Sequence, residues 1–167
     1  NTVQDGIIPF GPSMILDKTG ILSIGNKIKS LQSYIEYRNT VVQSIPSTSG
    51  VPMELNTSVV SVGSGITFSA NTFNISQAGI YNISWYMLWA PVNVGYRRSF
   101  LITNNGIVYG DITNVPDSTT GNCSISSSCM IKFNANDGFQ IIIYQTNGVP
   151  VNTLLQNASV YQLPSLF

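Results

Sequence analysis

The run GIYNISWYMLW, from Gly79 to Trp89, alternates in character and contains no charged side chain. A period of two residues is typical of a β-strand, in which successive side chains point to opposite faces. The first face would carry Tyr81, Ile83, Trp85, Met87 and Trp89, and the second Ile80, Asn82, Ser84, Tyr86 and Leu88. A second face in contact with water would normally carry charge. The run therefore predicts a strand whose half-polar second face is covered by something other than solvent.

The rest of the chain also favours strands. It has no long apolar pattern with the helical period of 3.6 residues, and β-branched and aromatic residues recur throughout. Short strand-like runs are separated by sequences typical of hairpin turns, at Asn104–Gly106, Asn136–Gly138 and Asn147–Gly148. Many short strands with regular turns predict an all-β sandwich or barrel.

The charge content narrows the class of partner. Charged residues make up 8% of the chain, against about 25% in ordinary globular proteins. Seven basic and seven acidic side chains give a net charge of zero, so neither the basic face of a nucleic-acid-binding protein nor a polybasic membrane patch is present. Solubility must depend on Asn, Ser, Thr and Gln, a composition typical of extracellular or virion surfaces.

Few residues in the chain could perform catalysis. The chain has no histidine, which is the commonest general base and transition-metal ligand. Its carboxylates show no spacing that indicates an acid/base pair, and no glycine-rich phosphate loop is followed by a lysine. We therefore do not expect an enzyme.

The N-terminal residues differ from the rest. GIIPFG at 6–11 recurs as GILSIG at 20–25, fourteen residues later, with Ile8 matching Leu22. Short apolar repeats of this kind bury their faces by stacking or by winding with other chains. Residues 1–32 are therefore interpreted as a β-rich stalk, or as a linker holding two unrelated β-segments, and residues 33–167 as a head. No run approaches the ~18 apolar residues of a membrane helix, and the chain starts at Asn, as in a fragment or processed chain.

The two cysteines, Cys123 and Cys129, are close in sequence. On one continuous strand they would lie roughly 20 Å apart at ~3.3 Å per residue, whereas a disulfide needs Cα atoms within about 7 Å. We expect two small buried thiols, unless the intervening residues form a loop.

Motifs of residues 33–167 follow a particular order: YIEYRNTVV, PMELNTSVVSVGSGITF, NTFNISQAGIYNISW, SSCMIKFNANDGFQIIIY and NASVYQLPSLF. This order resembles the C1q/TNF-like jelly-roll family, with Asn136-Asp137-Gly138 standing where the family has Gly-Asp. VGSGITF before FNISQAGIY is most similar to collagen-like surface glycoproteins of bacterial spores and to viral trimeric heads.

The resemblance implies a ten-strand, two-sheet jelly roll that forms a homotrimer. In this family the strand after the glycine lies in the inner sheet, so Tyr81, Ile83 and Trp85 would be core. The implied trimer interface consists of Ile80, Asn82, Ser84, Ile131 and Val160. The alternative is a monomer whose Asn and Ser side chains face solvent. Of the Asn-X-Ser/Thr sequons at Asn56, Asn74, Asn82, Asn122 and Asn157, the trimer would bury the one at Asn82 and leave it unglycosylated.

The sequence indicates ligand sites less clearly than it indicates the fold. The resemblance permits Ca²⁺ near Asp111 and Asp117, although turn-capping is the simpler role for both. Arg97 and Arg98 would face opposite ways on a strand, one outward and the other toward an edge or a partner. They could contact an acidic receptor or a sialic-acid-type glycan, or serve only solubility and edge protection. Aromatic residues in loops are the usual binding anchors. The candidates are Trp89 with residues 90–96 that follow it, and the loops at 47–50, 111–122 and 146–152.

These features favour a trimeric attachment head at the tip of a viral fibre or spike, which binds a host-surface receptor or glycan through several copies of one weak site. The alternative is a structural trimerisation cap of a virion or spore coat filament with no specific receptor. A secreted animal ligand is disfavoured by the scarcity of charge. Both favoured readings predict an extracellular location and neither predicts insertion into a membrane.

Overall fold

The computed structural model describes residues 32–91, 95–115 and 121–164, and the backbone of three short strands before them. The chain divides into two compact units, residues 1–31 and 32–167. In the first unit, strands β1 (Ile8–Pro9), β2 (Met14–Leu16) and β3 (Leu22–Ile24) form an antiparallel sheet in the order β1-β2-β3. Ile8 and Leu22, which are equivalent in the repeat, both lie in strands.

The second unit consists of two antiparallel sheets of six strands each. Its strands are β4 (Tyr34–Asn39), β5 (Gln43–Ile45), β6 (Val51–Pro52), β7 (Thr57–Val62), β8 (Ile66–Ser69), β9 (Thr72–Ile75), β10 (Gly79–Trp89), β11 (Arg97–Thr103), β12 (Val108–Asn114), β13 (Cys123–Phe133), β14 (Gly138–Gln145) and β15 (Val151–Gln162). Sheet I has the order β13-β10-β15-β4-β7, with β5 paired to β15. Sheet II has the order β12-β11-β14-β9-β8, with β6 paired to β14. The two expected sheets are present, but among the described residues they together contain twelve strands rather than the ten that the resemblance implied.

Only one of the three predicted hairpin turns closes a hairpin. Asn104–Gly106 joins the antiparallel neighbours β11 and β12, and Gly106 has the positive φ of 77° that such a turn requires. The turns at Asn136–Gly138 and Asn147–Gly148 instead carry the chain from one sheet to the other. The strand that they enclose, β14, belongs to sheet II, whereas β13 before it and β15 after it in the sequence belong to sheet I. Turn residues mark where the chain reverses but do not specify which strands then pair.

The core lies between the two sheets. Tyr81, Ile83 and Trp85 are at most 2% exposed, which confirms the predicted core face of β10. At one end of the core six rings follow one another in contact, with centroids 4.6 to 5.9 Å apart: Tyr37, Phe68, Phe73, Phe139, Phe133 and Tyr81. Such pairs each add about 0.5–1.5 kcal/mol beyond the apolar area that they bury.

A buried polar network replaces apolar packing elsewhere in the core. The Gln156 Nε2 group donates to Gln43 Oε1 and to Thr153 Oγ1, both at 2.6 Å. Gln43 in turn donates to the carbonyl of Pro52 at 2.9 Å. Because these groups are paired with one another, their burial leaves few unsatisfied polar atoms, and β5 is fixed to both sheets.

Candidate functional site

The outward face of sheet I contains the half-polar second face of β10, which the resemblance assigns to a trimer interface. On β10 it carries Ile80 and Asn82, which are exposed, and Ser84, Tyr86 and Leu88, which are half-buried. The register places Ser84 between Ser128 on β13 and Ser159 on β15, and the Oγ atoms of Ser84 and Ser159 are 2.8 Å apart. The middle of the face is therefore a row of small hydroxyl side chains.

Two of the five predicted interface residues do not belong to this face. Ile131 is the cross-strand partner of Tyr81, and Val160 is the partner of Ile83. Directly paired residues point to the same side of a sheet, so both lie in the core, where they are 5% and 0% exposed. Their assignment to the interface was wrong by one residue on each strand. Ile80, Asn82 and Ser84 do lie on the outward face.

The residues that neighbour β10 on the outward face could be identified only from the register. Asn82 lies between Met130 and Tyr161, and Ile80 lies opposite Lys132. Met130 is 71% exposed and Ile80 is 49% exposed. The sequence gives a weak signal for Met130, an apolar residue at an outward position of β13, but not for its position beside Asn82.

The serine row borders an open depression of about 530 Å³. It is lined by Ser84, Trp85, Tyr86, Ser126, Ser127, Ser128 and Asn157. Small side chains at the serine positions leave this space, since any larger outward residue would fill it. The depression offers hydroxyl and amide groups together with the side chain of Tyr86, and can therefore receive a polar or a mixed surface.

A carboxylate is held beside this depression. Asn157 Nδ2 donates to Glu36 Oε1 at 2.9 Å, and the Tyr34 hydroxyl donates to Glu36 Oε2 at 2.8 Å. These two hydrogen bonds, with a smaller contribution from the charge of Arg38, lower the pKa of Glu36 below its usual range. With Arg38 and Lys132, Glu36 gives the outward face of sheet I a small charge content that the sequence of β10 alone did not reveal.

Trp89 and Arg97 are not available to a ligand. Both side chains are 0% exposed, and the Arg97 guanidinium carbon lies 5.3 Å from the centroid of the Trp89 ring. Burial lowers the pKa of Arg97. Strand alternation correctly predicted that Arg97 and Arg98 point to opposite faces. Arg97, however, lies in the core rather than at an edge or against a partner. The loop residues 92–94, which were part of the candidate anchor, lie outside the described residues.

Arg98 lies on the outward face of sheet II and is paired with Asp111. Its Nε and Nη2 groups donate to the two carboxylate oxygens of Asp111 at 2.8 and 2.5 Å. The carboxylate raises the pKa of Arg98, and the guanidinium lowers that of Asp111. Three aromatic rings lie near Arg98. Phe100 lies 4.8 Å from the guanidinium carbon, and Tyr144 lies opposite Arg98 and 5.8 Å from the ring of Tyr96.

Asp111 does not fit the proposed calcium site. A Ca²⁺ site needs several oxygen ligands and carboxylate charge, and the charge of Asp111 is neutralised by the Arg98 guanidinium, which donates to both of its oxygens. Its proposed companion Asp117 lies outside the described residues. Within residues 32–91, 95–115 and 121–164, no three acidic, histidine or cysteine side chains are grouped so as to hold a metal ion.

The two cysteines lie on one uninterrupted strand, β13, and are not bridged to each other. Cys129 points to the core side, opposite Ile83, and burial raises the pKa of its thiol to about 11. A thiol with so high a pKa carries almost no thiolate at neutral pH and is a poor nucleophile. In the part of the chain that the structure describes, no helix is long and apolar enough to cross a membrane.

No protein-family model and no curated protein sequence matches this chain. Solved structures do resemble it. Murine APRIL superposes with a TM-score of 0.64 at 13% identity, covering 79% of this chain and 99% of that one. The globular domain of zebrafish complement 1qA gives 0.60 at 9% identity, covering 79% and 98%. Vertex protein P5 of PRD1 gives 0.59 at 20% identity, covering 80% and 99%.

Such low identities establish the fold alone. The fold is a C1q/TNF-like jelly roll, as the order of sequence motifs predicted. This fold is typically non-catalytic.

Proposed function

We propose that this C1q/TNF-like jelly roll is the head of a homotrimer that attaches the tip of a viral fibre or spike to a host-surface receptor or glycan. The observation that carries the proposal is the outward face of sheet I. It combines exposed apolar side chains with a depression lined by serines, and it belongs to the sheet through which the C1q/TNF resemblance implies assembly.

The apolar side chains of this face support burial against another subunit. Met130, Ile80, Leu155 and Val62 are 71%, 49%, 41% and 41% exposed in the single chain, and all four side chains lie on this side of sheet I. Exposed apolar side chains grouped on one face commonly mark an interaction surface. The serine row between them would let a neighbouring backbone approach closely, and Ser and Asn can pair across an interface instead of with water.

The N-terminal unit supports a fibre rather than a detached ligand. Its repeated segments lie in a small antiparallel sheet, and repeats of this kind gain stability by winding with other chains. With residues 1–32 as a stalk, three heads would be held together at one end of a filament. Three copies of a weak site then act with greatly increased avidity, because the second and third contacts are intramolecular. Such a head would be extracellular, on a virion surface.

The trimer is tested by light scattering on the full chain at low micromolar concentration, with and without EDTA. We expect three times the monomer mass in both conditions. Ser84→Arg should yield monomers, because it places a long cation in the serine row. Thr67→Arg is the matched control, since Thr67 is an exposed strand residue of sheet II and its replacement should leave the mass unchanged. A wild-type monomer would contradict the proposal, and loss of the trimer only with EDTA would make a metal part of it.

Attachment is tested separately from assembly. Fluorescent trimer is applied to a panel of bacterial and eukaryotic cells and to immobilised glycans, with the Ser84→Arg monomer as the low-avidity comparison. Saturable binding that weakens in the monomer supports an attachment head. A stable trimer that binds none of them would instead favour the structural cap of a virion or spore coat filament.

A further inference from the structure

We propose that the outward face of sheet II binds a neutral pyranose of a glycan at the cluster formed by Tyr96, Arg98, Phe100, Asp111 and Tyr144, here called the tyrosine–arginine cluster. The inference deepens the proposed attachment function, on which its biological role rests, by naming the class of ligand and the residues that hold it.

The cluster provides a partly apolar surface of neighbouring rings. Arg98 and Phe100 are both outward on β11, with the guanidinium carbon 4.8 Å from the ring centroid. Tyr144 is the cross-strand partner of Arg98, and the rings of Tyr96 and Tyr144 lie 5.8 Å apart at an angle of 30°. All of these side chains are half-buried, so their positions are held by packing while part of each ring still meets solvent. One side of a pyranose carries mainly C–H groups, which pack well on such rings.

The cluster also places hydrogen-bond donors beside acceptors. Arg98 uses its Nε and Nη2 groups for Asp111, and a guanidinium has further N–H groups to donate. Each carboxylate oxygen of Asp111 can accept more than one hydrogen bond, and the side chain of Asp111 is 41% exposed. Adjacent sugar hydroxyls each donate and accept, so they match a surface on which both kinds of group are fixed side by side.

The absence of net charge in the cluster favours a neutral sugar. Arg98 and Asp111 neutralise each other, so the cluster has no net charge to attract an anion. The carboxylate of a sialic acid would be repelled by the carboxylate of Asp111, and the neighbouring guanidinium of Arg98 is already paired with Asp111. The structure therefore favours neutral sugars over the sialic-acid-type ligand that the sequence suggested for Arg98.

The position of the cluster fits a multivalent head. It lies on sheet II, whereas the proposed trimer face lies on the opposite side of the sandwich, on sheet I. Assembly through sheet I would leave all three clusters accessible. Three weak sugar contacts would then add up to firm attachment.

The test uses the full chain on immobilised oligosaccharides that end in galactose, glucose, mannose, fucose or N-acetylglucosamine, together with sialylated forms of the same glycans. We expect binding to at least one neutral glycan. Tyr144→Ala should weaken it about tenfold or more, as truncation of a central aromatic anchor does. Tyr144→Phe should keep most of the binding because the ring remains. Val149→Ala, at an exposed turn residue, should have no effect.

Asp111→Asn tests the polar half of the cluster with little change of shape, and we expect it to reduce binding as well. Binding only to sialylated glycans, or neutral binding unchanged by both Tyr144→Ala and Asp111→Asn, would overturn the site. Saturation-transfer NMR with methyl glycosides of the same sugars gives an answer on the unmodified protein if a variant fails to fold. Light scattering on the same samples separates the two proposals: a monomer that binds sugar overturns the trimer alone, and a trimer that binds none overturns the sugar site alone.

Discussion

Gly110 on β12 lies directly against the indole of Trp85, so that a Cβ atom on Gly110 would be 2.5 Å from Trp85 Cη2. The contact joins the two sheets, because β12 belongs to sheet II and Trp85 to sheet I. It is reinforced by Ser127 Oγ, which donates to the carbonyl of Gly110 at 2.9 Å. Gly110 also has a φ of 58°, a conformation that residues with a side chain rarely adopt. Absence of a side chain at this position allows one edge of the sandwich to close.

Gly110→Ala should therefore destabilise the protein by about 2–4 kcal/mol, from strained backbone and overpacking together. The measurement is the free energy of unfolding by chemical denaturation. Gly106→Ala is the matched control, since Gly106 has a φ of 77° but no atom within 4 Å of an added Cβ. The Gly106→Ala variant should lose only about 1 kcal/mol of unfolding free energy, which is the cost of the backbone conformation alone. Equal losses in the two variants would mean that the contact with Trp85 adds nothing.

The carboxylate of Glu36 should contribute stability that is lost in acid. Its pKa is lowered from the usual 4.5, chiefly by the hydrogen bonds from Asn157 and Tyr34. A group with a depressed pKa in the folded state stabilises the protein above its unfolded pKa, and this stability disappears as the pH falls through the folded value. Free energies of unfolding measured from pH 7 to pH 3 should decrease less in Glu36→Gln than in wild type. Glu54→Gln, at an exposed carboxylate, should follow the wild-type curve; if it flattens the curve equally, the effect is not specific to Glu36.

The thiol of Cys129 should react slowly in the native protein. Burial raises its pKa to about 11, and alkylation requires the thiolate. With iodoacetamide at pH 8, mass spectrometry should find Cys129 largely unmodified under native conditions and fully modified in denaturant. Native alkylation of Cys129 at the rate of the unfolded chain would contradict its buried environment.

The sequon at Asn82 should remain bare in assembled protein. Asn82 is exposed in the single chain and lies on the outward face of sheet I, so a glycan there would block the proposed trimer. After secretion from a eukaryotic host, glycopeptide mapping of the trimer fraction should find Asn82 unmodified. Asn74, an exposed sequon on sheet II, can carry a glycan in both monomer and trimer. A trimer with a glycan on Asn82 would show that this face is not the interface.

Much of the fold and part of the candidate sites could be predicted from sequence. Alternation identified the core face of β10, and with it the surface that includes Ile80, Asn82 and Ser84. It could not identify their neighbours, because Ser128, Met130 and Tyr161 come from strands distant in sequence. Ile131 and Val160 were misplaced for the same reason, since an error of one residue in pairing moves a side chain to the other face. Of the tyrosine–arginine cluster, the sequence indicated Arg98 and Asp111 as candidates for separate sites. It did not bring them together or add Tyr144, because the three residues come from three different strands.

The sequence by itself determined the local features: the alternation of each strand, the positions of the turns, the scarcity of charge and the absence of histidine. These follow from side-chain chemistry and from the two-residue period of a strand. Tertiary structure decided which strands pair, that the turn at Asn136–Gly138 crosses between sheets, that Arg97 lies against Trp89 in the core, and that Arg98 meets Asp111. The physical reason is that strand pairing depends on contacts between distant segments, and those contacts are chosen by the packing of the whole core.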